Sequence, residues 1–349
     1  MELYQIDPIG DPRWSEFLAR HPRASVFHTP GWLEALRRTY GYESIGYTSS
    51  PSGERICNGL VFCRINSWLT GRRMVSLPFS DHCEPLCNVA EELEFFVQNL
   101  QAKVKRRECD YLEVRPINGS FLRREELSGF RPAGRYRLHR IDLRPDLDQI
   151  RRGFDKDSVV RRIRRAERAG LIEKCGNSEN LLKDFYRLLV LTRARHDLPP
   201  QPYGWFQKLI DCLGDALQIR LAYQHKTPVA AILTLRFREI VVFKYGCSDA
   251  RYKNLGAMPL LLWRAIERAK STGAQEFSLG RSDEDNRGLI TFKDHWTRDS
   301  TSLIYWRYPE PASSQSRQRW GIGMSKQVFA MMPKRVLALT GRLIYRHIG

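Results

Sequence analysis

The chain has 349 residues, with 57 Lys and Arg against 39 Asp and Glu, for a formal net charge of +18. Apolar residues at 42% and aromatics at 11% suffice for ordinary cores, which excludes wholesale disorder, and no run of roughly 18 residues stays apolar and uncharged, which excludes a conventional spanning helix. The charge points to an anionic partner, whether a nucleic acid, a phosphorylated substrate or a membrane surface, and is silent about the fold.

At about 150 residues per domain the length fits two domains and an extra segment. The start, MELYQIDPIGDPRW, holds acids and no apolar stretch, so no secretory leader is expected. Trp14, Phe17 and Leu18 sit at helical spacing, and HPRASVFHTPGWLEAL brings a turn and a second short helix. Strand-like runs follow at Glu43–Thr48, Ile56–Ile65 and Arg73–Leu77, then a helix over Glu91–Arg107 and strands at Tyr111–Val114 and Tyr136–Leu143. The second half repeats this order. Phe185, Tyr186, Leu188 and Leu189 mark a helix, and RHDLPPQPYGWFQKL a turn and a short helix. Strands follow at Gln218–Tyr223, Val229–Phe237 and Ile240–Cys247, a helix at Pro259–Thr272, and strands at Glu276–Leu279 and Ser302–Tyr308. Two copies of one mixed α/β unit account for this most simply.

Between the halves, DKDSVVRRIRRAERAGL offers N-caps at Asp155, Asp157 and Ser158 and a C′ glycine at Gly170. Val159, Val160, Ile163 and Ala166 share one stripe, with Arg161, Arg164, Arg165 and Arg168 roughly opposite. Arg151–Gly170 holds eight basic and three acidic residues, a net +5. Such a face is either a solvated surface or a phosphate-binding one; Arg161 and Arg165 are the candidates. The segment Pro311–Gly349 holds seven basic residues and no acid. After Pro333, Val336, Leu337, Leu343 and Ile344 form an apolar stripe with basic flanks, read either as an interfacial helix on anionic lipid or as a helix packed on protein. Together these two segments hold 12 of the 18 net charges in 59 residues.

The eight cysteines are scattered among apolar neighbours, which fits reduced, buried thiols in the cytoplasm. His82-Cys83-Glu84-Pro85-Leu86-Cys87 has no second cluster to complete a metal site, so none is expected. Nucleotide-loop, zinc-protease and serine-hydrolase motifs are missing, so nucleophilic catalysis is not suggested. Polar residues instead follow strands, where α/β folds place their sites: Asp81, His82 and Glu84 in SLPFSDHCEPL, and Arg281 and Asp283 in GRSDED. Tyr245 and Lys244 lie on one strand, and alternation would send one into a cleft and the other away.

GRSDEDNRGLITFKDHW before a final strand, the Arg-rich RRIRRAERAGL, the HTPGW turn and the LPFSDHCEPL loop, in this order, resemble the Fem-type (FemAB-like) branch of the GNAT acyltransferases, most closely the subgroup found with bacterial exopolysaccharide and exosortase systems. The resemblance implies two tandem GNAT-like domains, residues 1–148 and 149–309, with a basic amphipathic tail over 310–349. It also implies transfer of an acyl or aminoacyl group to an amine by direct attack, with acyl-CoA or aminoacyl-tRNA as donor and no tightly bound cofactor. The acceptor would be an anionic, phosphate-bearing small molecule or a lipid-linked precursor, met in the cytoplasm or at the inner face of the membrane. By motif, the family's channel-lining Phe-Lys pair is Phe292-Lys293, with Lys293 holding positive charge against the developing oxyanion. Without the resemblance Lys293 reads as a surface lysine at a strand start. A family arginine that meets acceptor phosphate corresponds to Arg195, or to Arg193. Asp283 is the favoured base for the amine, with Asp81, His82 and Glu84 as rivals and Tyr245 as a cleft-lining group. The stretch Arg251–Pro259 departs from the GNAT pyrophosphate loop, retaining only Gly256 and Ala257, so a CoA donor is not assured and a catalytically silent module binding an anionic ligand is the rival reading.

Overall fold

The computed structural model describes residues 1–117, 129–309 and 334–349. Its elements in chain order are β1 (Tyr4–Ile6), α1 (Pro12–Arg20), α2 (Pro30–Tyr40), β2 (Glu43–Thr48), β3 (Leu60–Ser67), β4 (Gly71–Val75), α3 (Ala90–Lys105), β5 (Tyr111–Val114) and β6 (Arg131–Asp142). There follow α4 (Leu147–Arg152), α5 (Arg161–Arg168), β7 (Ile172–Gly176), α6 (Glu179–Arg195), α7 (Tyr203–Leu213), β8 (Leu217–Gln224), β9 (Thr227–Phe237) and β10 (Ile240–Ser248). The last are α8 (Ala257–Ser271), β11 (Glu276–Asp283), α9 (Arg287–Asp294), β12 (Ser300–Tyr308) and α10 (Lys334–Ile348).

Two compact units share the chain. The first comprises Met1–Tyr136, Ser302–Gly321 and Leu343–Gly349, the second Arg137–Thr301 and Ile322–Arg342. Each has the same strand plan. In the first unit β1, β2, β3 and β4 pair antiparallel in turn, β4 pairs parallel with β5, and β12 closes the far side of β5. In the second, β7, β8, β9 and β10 pair antiparallel, β10 pairs parallel with β11, and β6 lies beside β11. The expected repeat of a mixed α/β unit is therefore real.

The expected division at residues 148 and 149 does not match the contacts. The closing strands are exchanged: β12, late in the chain, completes the first unit, and β6 from Arg137 onward belongs to the second. Chain order alone assigned each closing strand to the half it follows. Other corrections are local. The strand at residue 276 runs on to Asp283 through Gly280, which adopts φ +71 and supplies a kink that a non-glycine residue would resist. Residues 287–294 form a helix.

The local chemistry explains the main elements. Asp11 and Thr29 cap α1 and α2, and proline follows each at the first helical position. Gly41, at φ +72, ends α2. The first core gathers Phe62, Phe96, Leu100 and Leu112. The second gathers Ile163, Ala166, Trp263, Ile266 and Phe277. As the apolar stripe predicts, Val159, Ile163 and Ala166 of the arginine-rich segment are buried. Asp155 caps a π-turn over Lys156–Val160 that leads into α5, and Gly170 follows at φ +64.

Of the tail, Arg317, Arg319, Lys326 and Pro333 lie outside the described residues, and of Lys334, Arg335, Val336, Leu337 and Arg342 only the backbone is described. The end of α10 packs on protein: Tyr42 Oη donates to the carbonyls of Tyr345 and Arg346 at 3.0 and 3.1 Å, and the buried Arg73 guanidinium donates to those of His347 and Gly349 at 2.7 and 3.0 Å. No described helix is long and apolar enough to cross a membrane. Cys57 and Cys175 are exposed, contrary to the expectation of buried thiols.

Candidate active site

Each unit has a parallel strand pair, and Asp81, His82, Arg281 and Asp283 lie beyond its register. In the second unit, β10 and β11 pair over Ile240–Val242 and Glu276–Ser278. Past that register β10 carries a bulge between Phe243 and Tyr245, while β11 turns at Gly280. The two strands thus part where their C-terminal ends begin, the usual place for a site in an α/β fold.

On the β11 arm, Lys293 is the central observation. It sits in the last turn of α9, only 2% exposed, and its Nζ donates to the carbonyls of Gly280 at 2.7 Å and Arg281 at 3.0 Å. It is neither on the surface nor at a strand start. A buried ammonium requires such acceptors, because an unpaired charge away from water is costly. The kink at Gly280 turns these two successive carbonyls toward it. Phe292, next to it, packs on the second core with its ring centroid 6.5 Å from Trp296. His139 Nε2 meets Asp294 Oδ1 at 2.9 Å and fixes the residue after Lys293.

Arg281 and Asp283 extend from the same arm, with guanidinium and carboxylate 3.9 Å apart and the Asp283 side chain 70% exposed. Asp283 ends a strand and is not held inside a polar loop. Ser282 between them is 1% exposed, and its hydroxyl has no hydrogen-bond partner among the described residues.

On the β10 arm, Tyr245 is buried and its Oη accepts a hydrogen bond from Trp205 Nε1 at 3.0 Å. Lys244 is the extra residue of the bulge, so simple alternation fails there: its Nζ lies 5.9 Å from the Tyr245 ring centroid. Thr192 of α6 grips the end of this strand, its Oγ1 accepting from Ser248 N at 2.9 Å and donating to Ser248 O at 3.1 Å. Arg193 donates to Gln201 Oε1 at 3.3 Å, whereas Arg195 is exposed at the end of α6.

The arginine helix α5 packs against the start of α8. A Cβ on Gly256, at φ +77, would come within 2.2 Å of the Arg162 carbonyl oxygen. Arg165 donates to the Asn254 carbonyl at 3.3 Å, and Arg161 pairs with Asp157 at 3.0 Å. The arginine face is therefore partly answered by Asp157, one of the N-cap candidates. Arg251 is paired with Asp249 at 2.6 Å, so its charge is already engaged.

In the first unit, β4 and β5 pair over Arg73–Val75 and Tyr111–Glu113. Beyond them Leu77 and Phe79 hold positive φ values of 66 and 60, unusual for large side chains. Asp81 is buried, and its carbonyl accepts from Tyr305 Oη at 2.8 Å. His82 meets the Phe27 ring edge-on. Glu84 Oε2 accepts from Ile117 N at 2.6 Å. Burial holds His28 down to about 4, so its ring is neutral and its Nε2 donates to the Glu84 carbonyl at 2.9 Å. These contacts make Glu84 an organiser of its loop. Sequence reasoning missed the neighbouring cluster: Glu113 accepts from Arg115 at 2.7 Å and from Arg307 at 2.9 Å, all three little exposed. Burial opposes ionisation of Glu113, but the two guanidiniums overcome it and hold the carboxyl down to about 2. The signal was available in YLEVRP, where Glu113 and Arg115 share a strand face. No group of three His, Cys, Asp or Glu that could hold a metal occurs among the described residues.

A family model described as an acetyltransferase (GNAT) domain matches residues 156–293, which span α5, the parting strands and Lys293. The structure of FemX superposes with a TM-score of 0.70 at 13% identity, covering 93% of this chain and all of that one. Residues 156–293 match the GNAT acetyltransferase domain, and the chain has a Fem-like fold. A tandem GNAT protein from the clavulanic acid biosynthesis pathway, solved without AcCoA, superposes at 0.54 with 10% identity, covering 89% of this chain and 100% of that one. The C-terminal domain of a putative lysylphosphatidylglycerol synthetase from Agrobacterium fabrum superposes at 0.53 with 12% identity, over 76% and 84% of the two chains. At these identities the structural likeness speaks for the fold alone. No curated relative matches the sequence.

Proposed function

We propose that the second unit makes an amide by direct attack of an acceptor amine on the carbonyl carbon of an activated acyl group. The observation that carries this reading is the buried Lys293 ammonium held on the Gly280 and Arg281 carbonyls, where β11 parts from β10. In the reaction the amine nitrogen forms a bond to the acyl carbon, and the carbonyl electrons move to oxygen. The charge at Lys293 stabilises that oxyanion through space in a water-poor setting. The oxyanion then collapses, the carbon–sulfur or carbon–oxygen bond breaks, and the leaving thiolate or alkoxide takes up a proton. Asp283 accepts the proton lost by the amine, directly or through water. Phe292 and Tyr245 line the site, and Arg281, Arg195, Arg161 and Arg165 meet phosphates of the ligands; within the first unit, Asp81 and His82 form a separate substrate-binding candidate.

The donor is an acyl-CoA or an aminoacyl-tRNA. The Arg162 carbonyl over Gly256 narrows the start of α8, where backbone N–H groups would meet a diphosphate, and this favours the tRNA ester. The acceptor is an amine on a phosphate-bearing cell-envelope or exopolysaccharide precursor, small or lipid-linked, used in the cytoplasm at the inner face of the membrane. Incubation with labelled acyl-CoA or labelled aminoacyl-tRNA and a panel of amines on such precursors tests the reaction. Label in an amide product supports it, and the productive donor identifies the branch. The same contact at Gly256 supports a second reading, binding without transfer. Saturable donor binding with no amide formed over the whole panel would select it.

A further inference from the structure

We infer that the first unit holds a membrane-contact surface built from the tip of the β3–β4 hairpin and the end of α10, suited to anionic lipid. This deepens the membrane part of the reading above and uses none of its chemistry. Seven large apolar side chains are strongly exposed among the described residues, and four of them gather here. Trp68 is 86% exposed and Leu69 55%, both at the hairpin tip; Leu343 is 71% exposed and Ile348 51%, both on α10. The Trp68 ring meets the His347 ring edge-on at 5.4 Å, Ile348 follows His347, and Leu343 lies one turn before it on the same side of the helix.

The presentation is rigid. Ser67 Oγ accepts from Leu69 N at 3.1 Å and from Thr70 N at 3.0 Å, which closes the tip, and its hydroxyl faces His347 Nδ1 at 2.9 Å. Thr70 Oγ1 donates to the His347 carbonyl at 2.7 Å, and Arg73 holds the same carbonyl from beneath. Trp68 and Leu69 are thus pushed into solvent by a fold that fixes their backbone, although exposing apolar groups has a cost that burial would remove.

The chemistry selects lipid over protein. A stable protein interface uses about 20–30 residues a side, and this cluster is far smaller. A tryptophan beside leucine at a projecting tip matches the water–lipid boundary, where an amphipathic ring and short apolar chains enter shallowly. The charge is complementary to anionic headgroups. Arg64 and Arg72 near the hairpin are answered by Glu43 and Asp110, but Arg346, on the same part of α10, is exposed, and the segment Leu343–Gly349 holds no acid.

Flotation of the full chain with vesicles tests this. One set contains phosphatidylglycerol in phosphatidylcholine, the other phosphatidylcholine alone. The parent chain is expected to float with the anionic vesicles and to be released by salt. Trp68→Ser with Leu69→Ser should weaken binding at least tenfold while circular dichroism and melting stay unchanged, since both side chains are exposed. Equal binding of the double variant, no binding by the parent, or equal binding to neutral vesicles would overturn the proposal. So would a dimer in sedimentation that the double variant dissolves, which would assign the surface to a second copy. Failed flotation with intact amide formation on a soluble acceptor removes only this surface; flotation without transfer removes only the reaction.

Discussion

His139 and Asp294 form a buried-to-surface pair: the imidazole is fully enclosed, while the carboxylate facing its Nε2 at 2.9 Å is 46% exposed. Burial, helped by the nearby Lys293 charge, holds the ring below its ordinary range against the pull of Asp294. The neutral ring therefore donates Nε2–H to the carboxylate, and α9 is pinned one residue past Lys293. His139→Leu should lower stability by about 1–2 kcal/mol, the range for a hydrogen bond to a charged group that water can partly replace. Asp294→Asn, which keeps an acceptor oxygen, should lower it by less. Urea midpoints at constant slope would measure both, and equal losses would remove the assigned tautomer.

Lys293→Met should fold but lose about 10²–10³ in kcat, the scale for removing one group that stabilises an oxyanion. Lys293→Arg is not conservative, because a planar fork replaces a compact ammonium in a space closed by two carbonyls. Single-turnover rates together with melting temperatures separate lost chemistry from lost fold. Full activity in Lys293→Met would end the assignment.

Gly256→Ala should be costly for two reasons: its φ of +77 suits glycine, and a Cβ would meet the Arg162 carbonyl at 2.2 Å. A loss of about 1–3 kcal/mol is expected, with faster proteolysis in the arginine helix than in the first unit. Thermal melting and mass-mapped limited digestion would show it.

Acid should act in two windows. His28 titrates at about 6.5 when unfolded and at about 4 when folded, so the unfolded chain binds the proton first. Its contribution is complete above pH 6.5 and declines as pH falls toward 4, by about 3 kcal/mol at about 1.4 kcal/mol per pKa unit. Glu113, ordinarily near 4.5, is held down to about 2; its contribution is present above pH 4.5 and is lost between there and pH 2. Stability measured against pH should show both slopes, and His28→Gln should flatten only the upper one.

Glu113→Gln should cost about 3–5 kcal/mol, because Arg115 and Arg307 would then lack their shared buried counter-charge. Chemical denaturation of the first unit's signal would test it. A change below about 1 kcal/mol would mean that the two guanidiniums have other support.

Much of the architecture was legible in the sequence because it rests on local patterns. Alternating apolar residues marked the strands, Asp155 and Gly170 bounded the arginine helix, and Trp32 and Trp205 marked equivalent turns in the two halves. What escaped depends on long-range pairing. No local pattern says that Ser302–Tyr308 pairs with β5, 192 residues away at the Trp306–Val114 register, or that His139 reaches Asp294. Lys293 was found by resemblance, but its burial was not, since a lysine after an apolar run reads as exposed until its carbonyl partners are known. Trp68 and Leu69 fall between the strand-like runs Ile56–Ile65 and Arg73–Leu77, and only the hairpin turn shows how far they project.

The exchanged closing strand also bears on synthesis. When the ribosome has made β5, the strand that will cover its open edge is still almost two hundred residues from being translated. The nascent first unit must therefore wait with an unpaired β edge, the kind of surface that recruits foreign strands. A chain cut before residue 300 would leave that edge permanently bare, so loss of the last segment would appear first as aggregation of the N-terminal half.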